Sequence, residues 1–502
     1  MNLLFRTDAS LTIGTGHVMR CLALAQAWQD AGGRALFAMA EATPTIQARL
    51  TAESCQIFPF APLTAGTVDD SLETVTLARE QQATWIVVDG YQFGADYQLA
   101  LKLAGFKVLF LDDYGHARYY SADLVLDQNV GASEALYIHR ETPTRLLLGP
   151  RYCLLRREFA PWRDWKRKVS SVGRRVLVMM GGSDPGNLTA RVMDALKLVR
   201  CTDMEVTVVV GGSNPHFTML RKAAAQSGRK ITIKRDVSNV AELMAGADVA
   251  VSAAGSTCWE LCLLGLPALL VDVADNQTVL AREMNKRGCA IHVGDRTFST
   301  QNMADNLGRL LNSRDLRHSS SQRSRELVDG SGARRVVSFL HGAENLQLRR
   351  ARPEDSRLLW EWANDPEVRW AAFSSAPIPW ETHAAWFAEK LSQERSLLFI
   401  AENGEKTPCG QIRFDGKSDG DWEVDVSVAK VIRGGGVAGW LIKLGVQAIL
   451  DLDHTARVHA FVKAKNVASV RAFENAEFKR IGIEQIRGNT AIHLVYEKNE
   501  PA

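Results

Sequence analysis

The feature that most constrains this chain is a rhythm of short apolar runs separated by helix-length stretches. From the first residue it reads "NLLFRT", "RALFAMA", "WIVVDG", "KVLFLDD" and "ADLVLDQN". Runs that are apolar throughout, rather than alternating, are strands buried on both faces. Helical segments between them make the crossovers that a parallel sheet requires. After "LLLGPRYCLLRREF" the rhythm restarts with "RRVLVMMGG", "MEVTVVVGG", "KITIKRDV", "ADVAVSAAG" and "PALLVDVAD". Two such α/β units leave a cleft beside the carboxyl ends of their strands, where ligands of open sheets bind. Near "HGAENLQLRRARPEDSRLLWEWANDPEV" the pattern changes to Trp-rich amphipathic helices, then the antiparallel-looking "SLLFIAEN", "PCGQIRFDGK" and "DWEVDVSVAK". This predicts three domains, 1–155, 156–345 and 347–502, the first two α/β and the last α+β.

Composition narrows the partners. A net charge of +3 with no concentrated block of Lys and Arg argues against nucleic acid and for small molecules. The nearest cysteines, Cys258 and Cys262, have helix spacing rather than metal-knuckle spacing, so the eight are read as reduced core thiols. "MNLLFRTDAS" lacks the basic start of a signal peptide and no apolar run reaches membrane-spanning length. A cytoplasmic protein without a membrane span is the expectation.

"TIGTGHVMRCLALAQAW" puts His17 between a glycine pair and an amphipathic helix. A helix N-terminus binds anions and disfavours imidazolium, so a neutral ring there can act as a general base. The alternative is that His17 only caps the turn. In the second unit "MMGGSDPGN" and "VSAAGSTCWELCLLGLPALL" are glycine-rich strand exits. Small residues let backbone N–H groups reach a diphosphate, and Glu260 can take a ribose diol through two oxygens. That pattern reads as a nucleotide-sugar pocket, the alternative being glycines used for tight packing alone.

"RTDASLTIGTGHVMRCLALA", "SAAGSTCWELCLLGLPALLVDVADNQ" and "GPRYCLLRREF" together resemble the UDP-sugar hydrolases of pseudaminic acid biosynthesis. These are GT-B-fold enzymes, with two Rossmann-like domains, similar to the glycosyltransferase that adds N-acetylglucosamine to a peptidoglycan lipid precursor. The resemblance implies hydrolysis of UDP-2,4-diacetamido-2,4,6-trideoxy-β-L-altropyranose, without a metal. It makes His17 the residue that activates water, puts Asp8, Gly14, Gly16, Arg20 and Tyr91 on the sugar side, and gives sugar hydroxyls to Asn276 and Gln277. Gly182, Ser183, Gly255, Ser256, Thr257 and Glu260 fall to UDP. Asp89, Asp112 and Asp113 also end strands and are read as caps or turn formers.

In the last domain "VIRGGGVAGWLIKLG" fits R-x-x-G-x-[GA] through Arg433, Gly434, Gly435, Gly436 and Ala438, a turn suited to a pyrophosphate. With "EVDVSV" before it and "NVASVRAFENAEF" after it, this resembles the GNAT acetyltransferases. The resemblance implies acetyl-CoA as co-substrate, held also by Asn466 and Ser469. "LLWEWANDPEVR" and "ETHAAWF", with His383, resemble the subgroup that acetylates amino sugars, including the N-acetyltransferase of the same pathway. Phe473 stands where many such enzymes have a general-acid tyrosine. Glu423 is the candidate base, an exposed strand carboxylate the alternative. Together the halves imply N-acetylation of a UDP-linked 4-amino-sugar and then removal of UDP. The rivals are a GT-B glycosyltransferase and a non-catalytic C-terminal module that binds coenzyme A or aids assembly.

Overall fold

A computed structural model of the chain describes residues 1–10, 13–60, 64–201, 203–342, 345–418 and 420–497. Residue 12, the first of the His17 motif, lies outside them, as does residue 11 before it. Contacts divide the chain into two compact units, Met1–Val336 and Val337–Ala502, so the division falls inside the helix Gly332–Leu340 rather than after it.

The first unit holds two sheets. One is built from β1 (Asn2–Thr7), β2 (Arg34–Met39), β3 (Gln56–Pro59), β4 (Ala83–Asp89), β5 (Lys107–Asp112), β6 (Leu124–Asp127) and β7 (Arg145–Leu148). Its order is β3-β2-β1-β4-β5-β6-β7 and every pairing is parallel. The other comprises β8 (Arg175–Met179), β9 (Glu205–Val210), β10 (Lys230–Arg235), β11 (Val249–Ala253), β12 (Ala268–Val271) and β13 (Ala290–Gly294). Its order is β10-β9-β8-β11-β12-β13, again all parallel. The chain is thus a pair of Rossmann-like sheets, as in a GT-B fold, followed by a third domain. Both central strand sets are buried on both faces, as in Leu3, Leu4 and Phe5 or Val176, Leu177 and Val178.

The second unit has one mixed sheet from β14 (Gln347–Arg350), β15 (Ser396–Glu402), β16 (Pro408–Ser418), β17 (Asp421–Val428), β18 (Arg457–Lys463), β19 (Lys479–Ile486) and β20 (Asn489–Tyr496). Its order is β14-β15-β16-β17-β18-β20-β19, antiparallel except where β17 meets β18. The helices Val437–Leu450 and Val467–Asn475 cover one face, with Leu441, Val446 and Phe473 against Ile412, Phe414 and Val458. On the other face Leu359 and Phe387, from the helices Ser356–Ala363 and Trp380–Ser392, cover Leu398 and Ile400 of β15, and Lys390 reaches Asp415 of β16. Among the described residues no helix is long and apolar enough to cross a membrane.

Close backbone approach fixes the exits of the second sheet. A Cβ on Gly211, just after β9, would lie 2.0 Å from the carbonyl oxygen of Gly182. Gly211→Ala therefore lowers stability by about 1–3 kcal/mol. Gly308, inside the helix Thr300–Asn312, meets nothing within 4 Å, so Gly308→Ala raises it by about 0.5–1 kcal/mol. Thermal melts of the two variants should move in opposite directions.

Candidate active sites

In each parallel sheet the strand order reverses once, between β1 and β4 and between β8 and β11. Loops leaving neighbouring strands at such a switch point run to opposite faces and open a crevice. His17 sits at that point in the first sheet, in the opening turn of the helix Gly16–Asp30, whose N-cap Thr15 makes no side-chain cap bond. Its Nδ1 lies 2.7 Å from Oδ1 of Asp89, the last residue of β4. An Nδ1–H donated to that carboxylate leaves Nε2 as the nitrogen with a lone pair. The ring is thus oriented by the carboxylate that ends β4.

Asp89 is fully buried and does not stand alone. Arg20, one turn beyond His17, donates Nε to its Oδ2 at 2.7 Å and Nη2 to its Oδ1 at 2.6 Å. A third donor, Nη1, reaches Asp113 Oδ1 at 2.7 Å. Burial alone would raise the Asp89 carboxyl; Arg20 and His17 outweigh it and hold it well below the usual carboxylate range. Asp113 is lowered against the same burial, chiefly by Arg20. Its other oxygen accepts from the Tyr91 hydroxyl at 2.6 Å, and that hydroxyl accepts from Asn276 Nδ2 at 2.7 Å. Tyr91 also presents its ring to His17, with centroids 4.9 Å apart. Since Asn276 follows β12, the cluster draws on both sheets.

Asp89 and Asp113 are therefore corrected from caps to the members that orient His17, Arg20 and Tyr91. The signal that could have found them is an arginine one turn after the histidine, which needs buried carboxylates to face. Asp112 does form a turn, accepting from the N–H groups of Asp113, Tyr114 and Gly115. Asp8 is also corrected: it is 2% exposed, accepts from the N–H groups of Ala40 and Glu41, and pairs with Arg6 at 2.8 Å. It fastens β1 to the end of β2 instead of bordering a sugar. Gly14, at φ +80°, and Gly16 have open space where a Cβ would stand.

On the facing wall, a Cβ on Gly182 would meet Thr15 Oγ1 at 2.6 Å, so this glycine lets the two switch points meet. Ser183 follows it, half-buried, while Asp184 caps the helix Leu188–Leu198 through two N–H groups. Gly255, Ser256 and Thr257 leave β11, and the Ser256 side chain makes no cap bond. Glu260 shares one oxygen with Arg156 Nη2 at 2.8 Å. Burial raises the Glu260 carboxyl while Arg156 opposes the shift. Arg156 lies in "GPRYCLLRREF", and its role was not read from the sequence. Gln277 spends its carbonyl on the Val273 N–H at 3.1 Å.

The second site lies where β17 and β18 part. Their parallel pairing covers only Asp421↔Arg457, Trp422↔Val458 and Glu423↔His459. Beyond it β17 stays with β16 to Val428 and β18 stays with β20 to Lys463, which leaves a wedge between them. Gly434 and Gly436, at φ +76° and +84°, turn the chain from the β17 side into the helix that begins Val437–Ala438. Arg433 donates to Val428 O at 2.7 Å and to Asp365 at 2.6 Å. Its guanidinium clamps the turn. Asn466 caps the helix Val467–Asn475 by accepting from Ser469 N–H at 3.2 Å. Glu423 stands at the last paired position before the wedge, with Lys417 at 2.9 Å.

Two residues lie elsewhere. His383 is 3% exposed, with Nε2 3.0 Å from Ser356 O and its ring stacked on Phe387. Burial lowers its pKa. It is a core joint between helices, which corrects its assignment to substrate. Phe473 is buried against Phe478.

Residues 176–333 match the Glycosyltransferase family 28 C-terminal domain, and residues 345–479 match the Acetyltransferase (GNAT) domain. Over 236 residues the chain is 30% identical to the spore coat polysaccharide biosynthesis protein SpsG of Bacillus subtilis, spanning 46% of this chain and 68% of that one. The chain belongs to the SpsG family. It is 26% identical over 291 residues to the UDP-2,4-diacetamido-2,4,6-trideoxy-beta-L-altropyranose hydrolase of Campylobacter jejuni, covering 57% of this chain and 97% of that one. The uncharacterized protein MJ1062 of Methanocaldococcus jannaschii is 21% identical over 497 residues, 96% and 97% of the two chains. That relative spans both units. The two domain families make this an enzyme of sugar-nucleotide processing and of acetyl transfer, and the acyl donor of a GNAT domain is acetyl-CoA.

Removing Arg20 leaves Asp89 charged and buried without its main counterion. Arg20→Ala should cost about 3–5 kcal/mol at pH 7. In the unaltered chain the folded-state pKa of Asp89 is depressed, so its contribution is present at neutral pH and lost as the pH falls below about 4. In the variant that carboxyl rises and is relieved by protonation. Denaturation midpoints of the two should converge on acidification, and a gap that stays constant would contradict the assignment.

Proposed function

We propose that the chain acetylates the 4-amino group of a UDP-linked 4-amino-sugar and then hydrolyses UDP-2,4-diacetamido-2,4,6-trideoxy-β-L-altropyranose to UDP and the free sugar. The observation that carries this reading is His17, held through Nδ1 by buried Asp89 at the switch point of the first sheet, where the glycine-rich exit at Gly182 approaches Thr15. Nε2 of His17 takes a proton from water as the water oxygen attacks the anomeric carbon. The bond from that carbon to the β-phosphate oxygen breaks, and its electron pair leaves with UDP. Asp89 keeps the imidazole in the productive tautomer and steadies the imidazolium that forms, in the manner of an orienting carboxylate. Gly182, Ser183, Gly255, Ser256 and Thr257 would face the diphosphate and Glu260 the ribose, with Arg156 fixing one of its oxygens.

In the second unit coenzyme A would lie along the wedge, its pyrophosphate on the turn Arg433–Gly436 and its thioester near the last β17–β18 pair. The acceptor amine attacks the thioester carbonyl, the C–S bond breaks, and coenzyme A leaves as thiolate. Glu423, at the end of that pair, takes the ammonium proton through water. Buried Phe473 contributes packing, so the thiolate is protonated from solvent. UDP-sugars and acetyl-CoA are cytoplasmic metabolites, which puts the proposed reactions there. The match to a glycosyltransferase-family domain over residues 176–333 favours one second reading, transfer of the sugar to an acceptor other than water.

The test is UDP release from the 4-amino UDP-sugar with and without acetyl-CoA. Release should require acetyl-CoA, disappear in His17→Ala while acetylation persists, and fall about a hundredfold or more in Asp89→Asn. Release indifferent to acetyl-CoA would remove the acetyl step from the sequence. No release from the acetylated sugar would favour the glycosyltransferase reading.

A further inference from the structure

The open part of the third sheet carries groups that transfer to a simple amine does not need. On β17, Trp422 and Val424 are buried on the helix-covered face, so Glu423 and Asp425 project from the other. On β18, Val458, Ala460 and Val462 are buried on the helix-covered face, which puts His459, Phe461 and Lys463 on that open face. Above it lies the short helix Pro366–Ala371, pinned from both lips of the wedge. Its N-cap Asp365 holds Arg433 at 2.6 Å, and Lys463 Nζ donates to the carbonyl of Trp370 at 2.9 Å. Trp370 is 55% exposed, while every other tryptophan of the chain is buried or half-buried. The backbone that carries this exposed indole is held by Lys463, so a large aromatic surface stands bare at the edge of the wedge.

We propose that Trp370 and Lys463 form a subsite for the nucleoside diphosphate of the acceptor, the indole stacking on the base and the ammonium pairing with the diphosphate. The inference rests on the acetyl-transfer reading above and names how that site holds its substrate. Lys463 spends one of three N–H donors on the Trp370 carbonyl and has two left for phosphate oxygens. Arg369, in the same helix, is not a competitor, since it donates to the carbonyls of Ala363, Ser374 and Ala376. The face is also graded in charge: on β17 Glu423, paired with Lys417, and Asp425, which accepts from Gln411; on the β18 side a cation and an exposed indole. A nucleotide-linked amino sugar is graded the same way, with an ammonium at one end and a diphosphate and base at the other.

The experiment compares two acceptors on the full chain, the UDP-linked 4-amino-sugar and the same amino sugar without nucleotide, by release of coenzyme A thiol. The unaltered chain should use the UDP-linked acceptor with the lower KM. Trp370→Ala should raise that KM about tenfold, in line with the loss of one base–aromatic stack, and leave the KM for acetyl-CoA and the KM for the free sugar unchanged. Trp370→Phe should keep most of the affinity, and Lys463→Gln should raise the KM for the UDP-linked acceptor alone. Equal use of both acceptors, or an equal change for both in Trp370→Ala, would overturn the subsite and leave the exposed indole as a protein contact. Transfer to neither acceptor by the unaltered chain would instead overturn the acetyl-transfer reading, and the subsite with it.

Discussion

Arg20 is the charge on which the first unit's site depends. It enters a buried position between two carboxylates, Asp89 at the end of β4 and Asp113 just after β5. A buried and a half-buried carboxylate facing one crevice would repel without it, and the buried one would protonate. With it, Asp89 stays ionised and can orient His17, and Asp113 stays ionised and can hold the Tyr91 hydroxyl. Tyr91 in turn reaches Asn276 on the far wall. One guanidinium therefore sets the protonation of two acids, the tautomer of a base and the register of a contact across the cleft.

The sequence made the parallel sheets legible because strands buried on both faces are apolar throughout. β3, four residues of "QIFP" at the edge of the first sheet, escaped because a short edge strand is half-exposed and carries little signal. β18 was missed for another reason: "RVHAFVK" alternates, as a strand with one open face must, and its polar members look like loop. His17 was visible from its turn, whereas Asp89 was not, because strand-end aspartates are common and only the arginine opposite distinguishes this one. His383 misled in the reverse direction. A histidine among tryptophans suggests a ligand site, yet a buried imidazole with its Nε2 on a backbone carbonyl is a satisfied core group.

A second pattern joins the two units' sites. The side chains that motifs single out are often consumed in shaping backbone. Arg433 clamps the glycine turn, Asn466 caps a helix, Asp184 caps another, and Gln277 closes its own loop. What remains for ligands is chiefly oriented N–H groups. Such a surface suits a diphosphate, which takes many donors from many directions and demands little side-chain chemistry. Sequence motifs of this kind mark where a phosphate is received more reliably than which side chain receives it.

The order of the proposed reactions follows from what the nucleotide does in each. UDP reacts in neither acetylation nor the attack of water on the sugar carbon, except as the group that departs. It is a remote handle whose binding free energy can position the reacting atoms in both sites. Acetylation leaves the handle in place, and hydrolysis destroys it. A free amino sugar presented to the wedge would have lost the base and diphosphate that Trp370 and Lys463 are placed to meet, so acetylation must come first for the second unit to use them. Joining both units on one chain then raises the local concentration of the acetylated intermediate near the site that consumes it, with no requirement that it be passed through a closed channel.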